Sequence, residues 1–146
     1  MRVLMVQTPS VETFTSEKVY PIGIVLLAGV LKKKGHQVEI LDLNLDHDPY
    51  GVLQEKLLEF RPEVVGFSLR NIDPLGNKNT SLIPQFTAAV RLTALLLPEA
   101  LLIAGGTGFS LFPERIMQEL SELDYGIVGE GELSFPALLE SLGYPV

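Results

Sequence analysis

The sequence contains no cysteine and no tryptophan. Without cysteine, this chain itself forms no disulfide, thiolate zinc site, catalytic thiol or cysteine-ligated iron–sulfur cluster, and the composition suits a cytoplasmic protein. Positive charge is also scarce. Lys and Arg number 11 against 18 Asp and Glu among 146 residues, a formal net charge of −7, so nucleic acid and anionic membrane are not expected as partners. The one basic run, Lys32-Lys33-Lys34, reads as a solvated helix end favoured by the helix dipole. Long apolar runs are missing too. "IGIVLLAGVL" is about half the length of a membrane span, and "VLMVQ" after Met1-Arg2 is too short for a signal-peptide core.

What is present alternates between two patterns. "RVLMVQ", "HQVEILDL", "EVVGFSL", "ALLIAG" and "DYGIVG" are apolar, β-branched runs of strand length. Between and after them lie helical segments: a stretch from Pro21 to "LKKKG" stopped by Gly35, "PYGVLQEKLLEF" with Leu53, Leu57, Leu58 and Phe60 on one face, "LIPQFTAAVRLTALL", "PERIMQELSEL" and "ELSFPALLESL". Five strands alternating with five helices predict one α/β domain over residues 1–146. The expected fold is a flavodoxin-like (Rossmann-like) three-layer sandwich with a five-stranded parallel sheet of order 2-1-3-4-5.

In such a sheet a ligand sits outside the carboxyl ends of the strands. Four segments converge there: Thr8-Pro9-Ser10, Arg70-Asn71-Ile72-Asp73, Gly105 to Ser110, and Gly129-Glu130-Gly131-Glu132. The turns at the opposite edge are short, which marks the carboxyl edge as the binding side. Several chemistries fail at this edge. "VQTPS" lacks the glycines of a dinucleotide site, and "GNKNTS" has the wrong spacing for a phosphate-binding P-loop. Thr8 and Ser68 stand where a phosphorelay receiver carries acids. Flavin mononucleotide is a closer rival, through Thr8, Ser10, Thr13 and Thr15, but the loop has no glycine and its helix starts late, near Pro21.

Hydrolysis fares no better. His36 falls on the wrong edge, and His47, within "DLNLDHDPYG", reads as a solvated turn rather than a metal site, because consecutive ligands converge poorly on one ion. Neither histidine has a serine and an acid placed to form a triad.

Four stretches, "YPIGIVLLAGVLKKKGHQVEILDLN", "VVGFSLRNIDP", "IAGGTGFSLFPE" and "DYGIVGEGELSFPALL", together resemble the N-terminal cobalamin-binding domain of cobalamin-dependent radical SAM enzymes. The first carries that domain's P-x-G-x-x-x-L-A-x-x-L-x-x-x-G-H-x-V pattern. The resemblance implies cobalamin bound across the carboxyl edge, with its nucleotide tail between sheet and helices and its corrin over the loops. Ser68 and Gly105-Gly106 match the serine and Gly-Gly of the methionine-synthase type, whose Asp-x-His-x-x-Gly motif is absent here. The implied cofactor-binding residues are Thr8, Pro9, Ser10, Ser68, Leu69, Arg70, Asn71, Asp73, Gly105, Gly106, Thr107, Gly108, Phe109, Ser110, Gly129, Glu130, Gly131 and Glu132.

The chemistry of these residues is consistent with that role. Two glycines leave bare backbone for a buried base, and Arg70, Asn71, Asp73, Ser110, Glu130 and Glu132 suit the amides of a corrin rim. Plainer roles stay open: an Arg70–Asp73 pair stapling a loop, Glu130 or Glu132 capping the last helix, and Phe109 and Phe112 packing a helix start.

A radical SAM domain needs a Cys-x-x-x-Cys-x-x-Cys cluster site, which this chain lacks. The resemblance therefore implies a domain excised from a longer enzyme, not catalytic alone, whose downstream domain would hold the 4Fe–4S cluster and S-adenosylmethionine. The end, "LGYPV", fits an excised unit. The alternative is a flavodoxin-like flavin-binding or interaction module.

Overall fold

A computed structural model of the chain describes residues 1–9, 21–70 and 82–143. Strands β1 (Arg2–Gln7), β2 (Gln37–Asp42), β3 (Val64–Ser68), β4 (Leu101–Gly105) and β5 (Tyr125–Gly126) form one parallel sheet of order β2-β1-β3-β4-β5. This is the flavodoxin-like order expected from the sequence. Helices α1 (Ile22–Lys33), α2 (Pro49–Phe60), α3 (Ile83–Leu96), α4 (Thr107–Leu111), α5 (Pro113–Glu119) and α6 (Gly131–Ser141) connect and cover the strands.

The alternating side chains of the strands feed two cores. Leu4, Val6, Val65, Phe67, Leu102 and Ala104 pack with α2, α3, α4 and α5 on one face. Val3, Met5, Val64 and Ile103 pack with α1 and α6 on the other. Because both faces are covered, the strands read as continuous apolar runs rather than as an alternating pattern.

Local signals set the helix ends. The Asp48 carboxylate accepts the Gly51 N–H at 3.1 Å and caps α2, with Pro49 in the first turn. Gly35 has φ +93° just past α1, and the His36 N–H returns to the Leu31 carbonyl at 3.2 Å. Arg61 turns the chain out of α2, in a left-handed conformation at φ +47°.

Three expectations shift. Leu58 lies on the solvent side of α2, 45% exposed, whereas Leu53, Leu57 and Phe60 are buried. The fifth strand is only two residues long. The segment from Thr107 to Ser110, ahead of the helix expected from Pro113, already forms α4, so the described residues hold six α-helices rather than five.

Candidate cofactor site at the carboxyl edge

A cavity of about 720 Å³ opens at the carboxyl edge, between the sheet and the helices α1 and α6, within the size range of small-molecule and cofactor sites. Register lines up its sheet wall in two rows. Met5, Gly66 and Ile103 are neighbours on β1, β3 and β4, and Gln7, Ser68 and Gly105 form the next row toward the edge. Opposite stand Ile24 and Leu27 of α1 and Phe135 of α6. The deep part is therefore apolar, whereas the outer row carries the amide of Gln7 and the hydroxyl of Ser68.

The rim comes from the loops. Arg70, Thr107, Ser110, Gly129, Glu130 and Glu132 line the mouth. Two hydroxyls hold these loops together: Thr107 Oγ1 donates to the Arg70 carbonyl at 2.7 Å, and Ser110 Oγ accepts the Gly129 N–H at 2.9 Å. Glu130 stands at the N-cap of α6, but its side chain makes no capping bond, and Glu132 lies in the first turn.

Of the residues implied by the resemblance, Ser68, Arg70, Gly105, Gly106, Thr107, Ser110, Gly129, Glu130, Gly131 and Glu132 line this cavity. Thr8, Pro9, Leu69, Gly108 and Phe109 do not. Thr8 is buried and its hydroxyl donates to the Ser68 carbonyl at 2.8 Å, so it braces β3 against β1. Leu69 is fully buried in the opposite core. Phe109 lies there too, packed against Gly126, so the packing role is the one observed, while Phe112 is 57% exposed. Ser10, Asn71 and Asp73, and with Asp73 its pairing with Arg70, lie outside the described residues.

The two adjacent glycines play different parts. Gly106 has φ +104°, and a Cβ there would sit 2.6 Å from the Leu69 carbonyl oxygen, so the chain path itself requires glycine. Gly105 has an ordinary backbone, and a Cβ would meet its nearest neighbour, the Ile127 carbonyl, at 3.5 Å. Nothing in the fold demands glycine there, so what Gly105 contributes is open space. Two N–H groups of the first turn of α4 are already engaged: those of Gly108 and Phe109 reach the Leu69 carbonyl at 2.8 and 3.3 Å. These two are therefore not free to hold a phosphate.

Sequence reasoning missed Gln7, Gly66 and Phe135. Gln7 is buried, and its Nε2 lies 3.4 Å from both the Thr8 and Ser68 carbonyls. An amide closing a strand and a glycine within "VVGFS" were the available signals. Elsewhere, His36 is buried, with neither ring nitrogen hydrogen-bonded among the described residues. Burial, helped by the positive amino terminus, holds its pKa below the ordinary value. His47 is exposed, as expected of a turn. Among the described residues no three His, Asp or Glu side chains are grouped to hold a metal ion, and no helix is long and apolar enough to cross a membrane.

A parallel α/β sheet with an apolar, glycine-floored cavity at its carboxyl edge defines a cofactor-binding domain. Residues 15–139 match the B12 binding domain family, and the chain belongs to it: this is a cobalamin-binding domain. It is 31% identical over 140 residues to cytidylyl-2-hydroxyethylphosphonate methyltransferase of Streptomyces wedmorensis, covering 84% of this chain and 24% of that protein. It is 28% identical over 144 residues to the hopanoid C-3 methylase of Methylococcus capsulatus, covering 97% of this chain and 26% of that protein. The radical S-adenosylmethionine methyltransferase TsrM from Kitasatospora setae, solved with cobalamin and a 4Fe–4S cluster bound, superposes with a TM-score of 0.82 at 27% identity, over 97% of this chain and 25% of that one. The chain thus spans about a quarter of the length of these relatives. These matches favour cobalamin over the flavin alternative.

Proposed function

We propose that this domain holds cobalamin for a larger radical SAM enzyme that transfers methyl groups, with the nucleotide tail of the cofactor in the cavity between the sheet and α1 and α6. The observation that carries this reading is the cavity wall. It is bare at Gly105, where no neighbouring atom crowds the missing Cβ. Bare backbone of this kind accommodates a flat base and its ribose against a sheet. Ser68 and Gln7 supply the polar groups at the outer row, and Arg70, Ser110, Glu130 and Glu132 supply rim donors and acceptors for the amides of the corrin. Ser10, Asn71 and Asp73 extend the same set in sequence. Bound there, cobalamin supplies a cobalt centre able to carry a methyl group, and the protein contributes position and environment.

The parent protein would add a downstream domain holding the 4Fe–4S cluster and S-adenosylmethionine. The relatives' greater length and the cluster in TsrM support this. A cytoplasmic location belongs to the same reading and rests on composition alone. The test is direct: mix the chain with hydroxocobalamin, separate by gel filtration and record the visible spectrum, with flavin mononucleotide in parallel. Corrin absorbance should co-elute with protein. Retained flavin with no retained corrin would reverse the assignment.

A further inference from the structure

Gly66 lies in the middle of β3, buried, with no positive φ to require glycine. What closes over it is side chain, not backbone. A Cβ at this position would sit 3.0 Å from both Sδ and Cε of Met5 and 3.1 Å from Cε2 of Phe135. In register, Met5 and Ile103 flank it on the neighbouring strands, and Phe135 faces it from α6. The space a side chain would take at Gly66 is therefore already filled: the glycine lets the Met5 thioether and the Phe135 ring settle against β3, and their position sets how deep the cavity runs. Methionine adapts readily to the shape of a neighbour, and a glycine inside a strand marks a site where another group comes close to the backbone.

We infer that Gly66, Met5 and Phe135 form a size filter that selects corrinoids by the ring system of their lower base. This rests on the proposal that the nucleotide tail enters this cavity. The glycine lets Met5 and Phe135 lie low on the strand, and the thioether and ring so placed limit how wide a base the cavity admits; a side chain at Gly66 would push them into it. In a close-packed apolar pocket one added methyl-sized group shifts affinity by about tenfold or more.

The test compares three corrinoids by visible-absorbance titration of the 146-residue chain: cobinamide, which lacks the tail; a cobamide with a monocyclic phenolic base; and cobalamin. Gly66→Ala should lose about tenfold in cobalamin affinity, less for the monocyclic cobamide, and nothing for cobinamide. Adding Met5→Ala to Gly66→Ala should restore cobalamin binding. Unchanged cobalamin affinity in Gly66→Ala, or an equal loss for all three corrinoids, overturns the filter. If Gly66→Ala fails to fold, Met5→Ala alone decides. It should favour a cobamide with a wider, naphthimidazole base over cobalamin by severalfold relative to the unmodified chain, and an unchanged ratio overturns the inference. If the unmodified chain binds neither cobalamin nor cobinamide, the cobalamin assignment itself fails, and the filter with it.

Discussion

The carbonyl oxygen of Leu69 accepts the backbone N–H of Gly108 at 2.8 Å, tying the end of β3 to the first turn of α4. Gly106 is bent to φ +104° to make that approach, with no room for a Cβ beside the same carbonyl. Gly106→Ala should therefore cost about 1–3 kcal/mol from backbone strain, with the steric clash added. Gly105→Leu should leave stability within about 1 kcal/mol and abolish cobalamin retention by filling the cavity. Urea unfolding and gel filtration with hydroxocobalamin read the two effects separately. Equal destabilisation by both variants would show that the two glycines are not divided in this way.

Thr8 tests the difference between bracing the site and lining it. Its buried hydroxyl donates to the Ser68 carbonyl. Thr8→Val should lower stability by about 1 kcal/mol while the folded protein keeps its cobalamin affinity. A large loss of affinity at unchanged stability would place Thr8 in contact with the ligand.

Ser68 should behave in the opposite way. Its side chain lines the cavity, and no described residue takes its hydroxyl as a partner. Ser68→Ala is expected to leave the thermal midpoint unchanged and to weaken cobalamin binding severalfold, the worth of about one hydrogen bond. A shift in midpoint without a change in affinity would assign Ser68 a structural role only.

His36 predicts a pH dependence. Burial lowers its pKa in the folded protein below the ordinary value of 6.5, so the unfolded chain binds the proton more readily. Its contribution to stability is full above the unfolded pKa and is lost as pH falls through 6.5 toward the folded pKa. His36→Leu should flatten this part of the stability–pH curve, measured by urea unfolding between about pH 5 and pH 8. An unchanged curve would show that His36 is not the group responsible.

The sheet order was legible because both faces of every central strand are covered, so Val3 to Val6 and Val64 to Phe67 appear as unbroken apolar runs. The helix over Pro49–Phe60 was legible from its proline and its apolar spacing. The site was legible as an edge but not as a cavity. Which of two glycines is forced by the chain depends on the position of Leu69, far away in sequence, and no local pattern encodes it. Phe109 sits within a glycine-rich loop and still points into the opposite core, because α4 begins at once after Gly106. Leu58 and Leu57 look equivalent in sequence, yet one helical step separates a buried face from an exposed one.

Met5, Gly66 and Ile103 stand side by side in the sheet but come from three strands joined by long crossovers. The cavity floor cannot form from any one supersecondary unit and exists only when all three strands have docked. Such non-local pairing is slow to assemble, and a chain caught before the third strand arrives has nowhere to place the cofactor. Cobalamin would act as a clamp on completed topology, favouring the finished sheet over every partial one in proportion to its free concentration. Cofactor supply would then set the abundance of the folded protein as well as its loading.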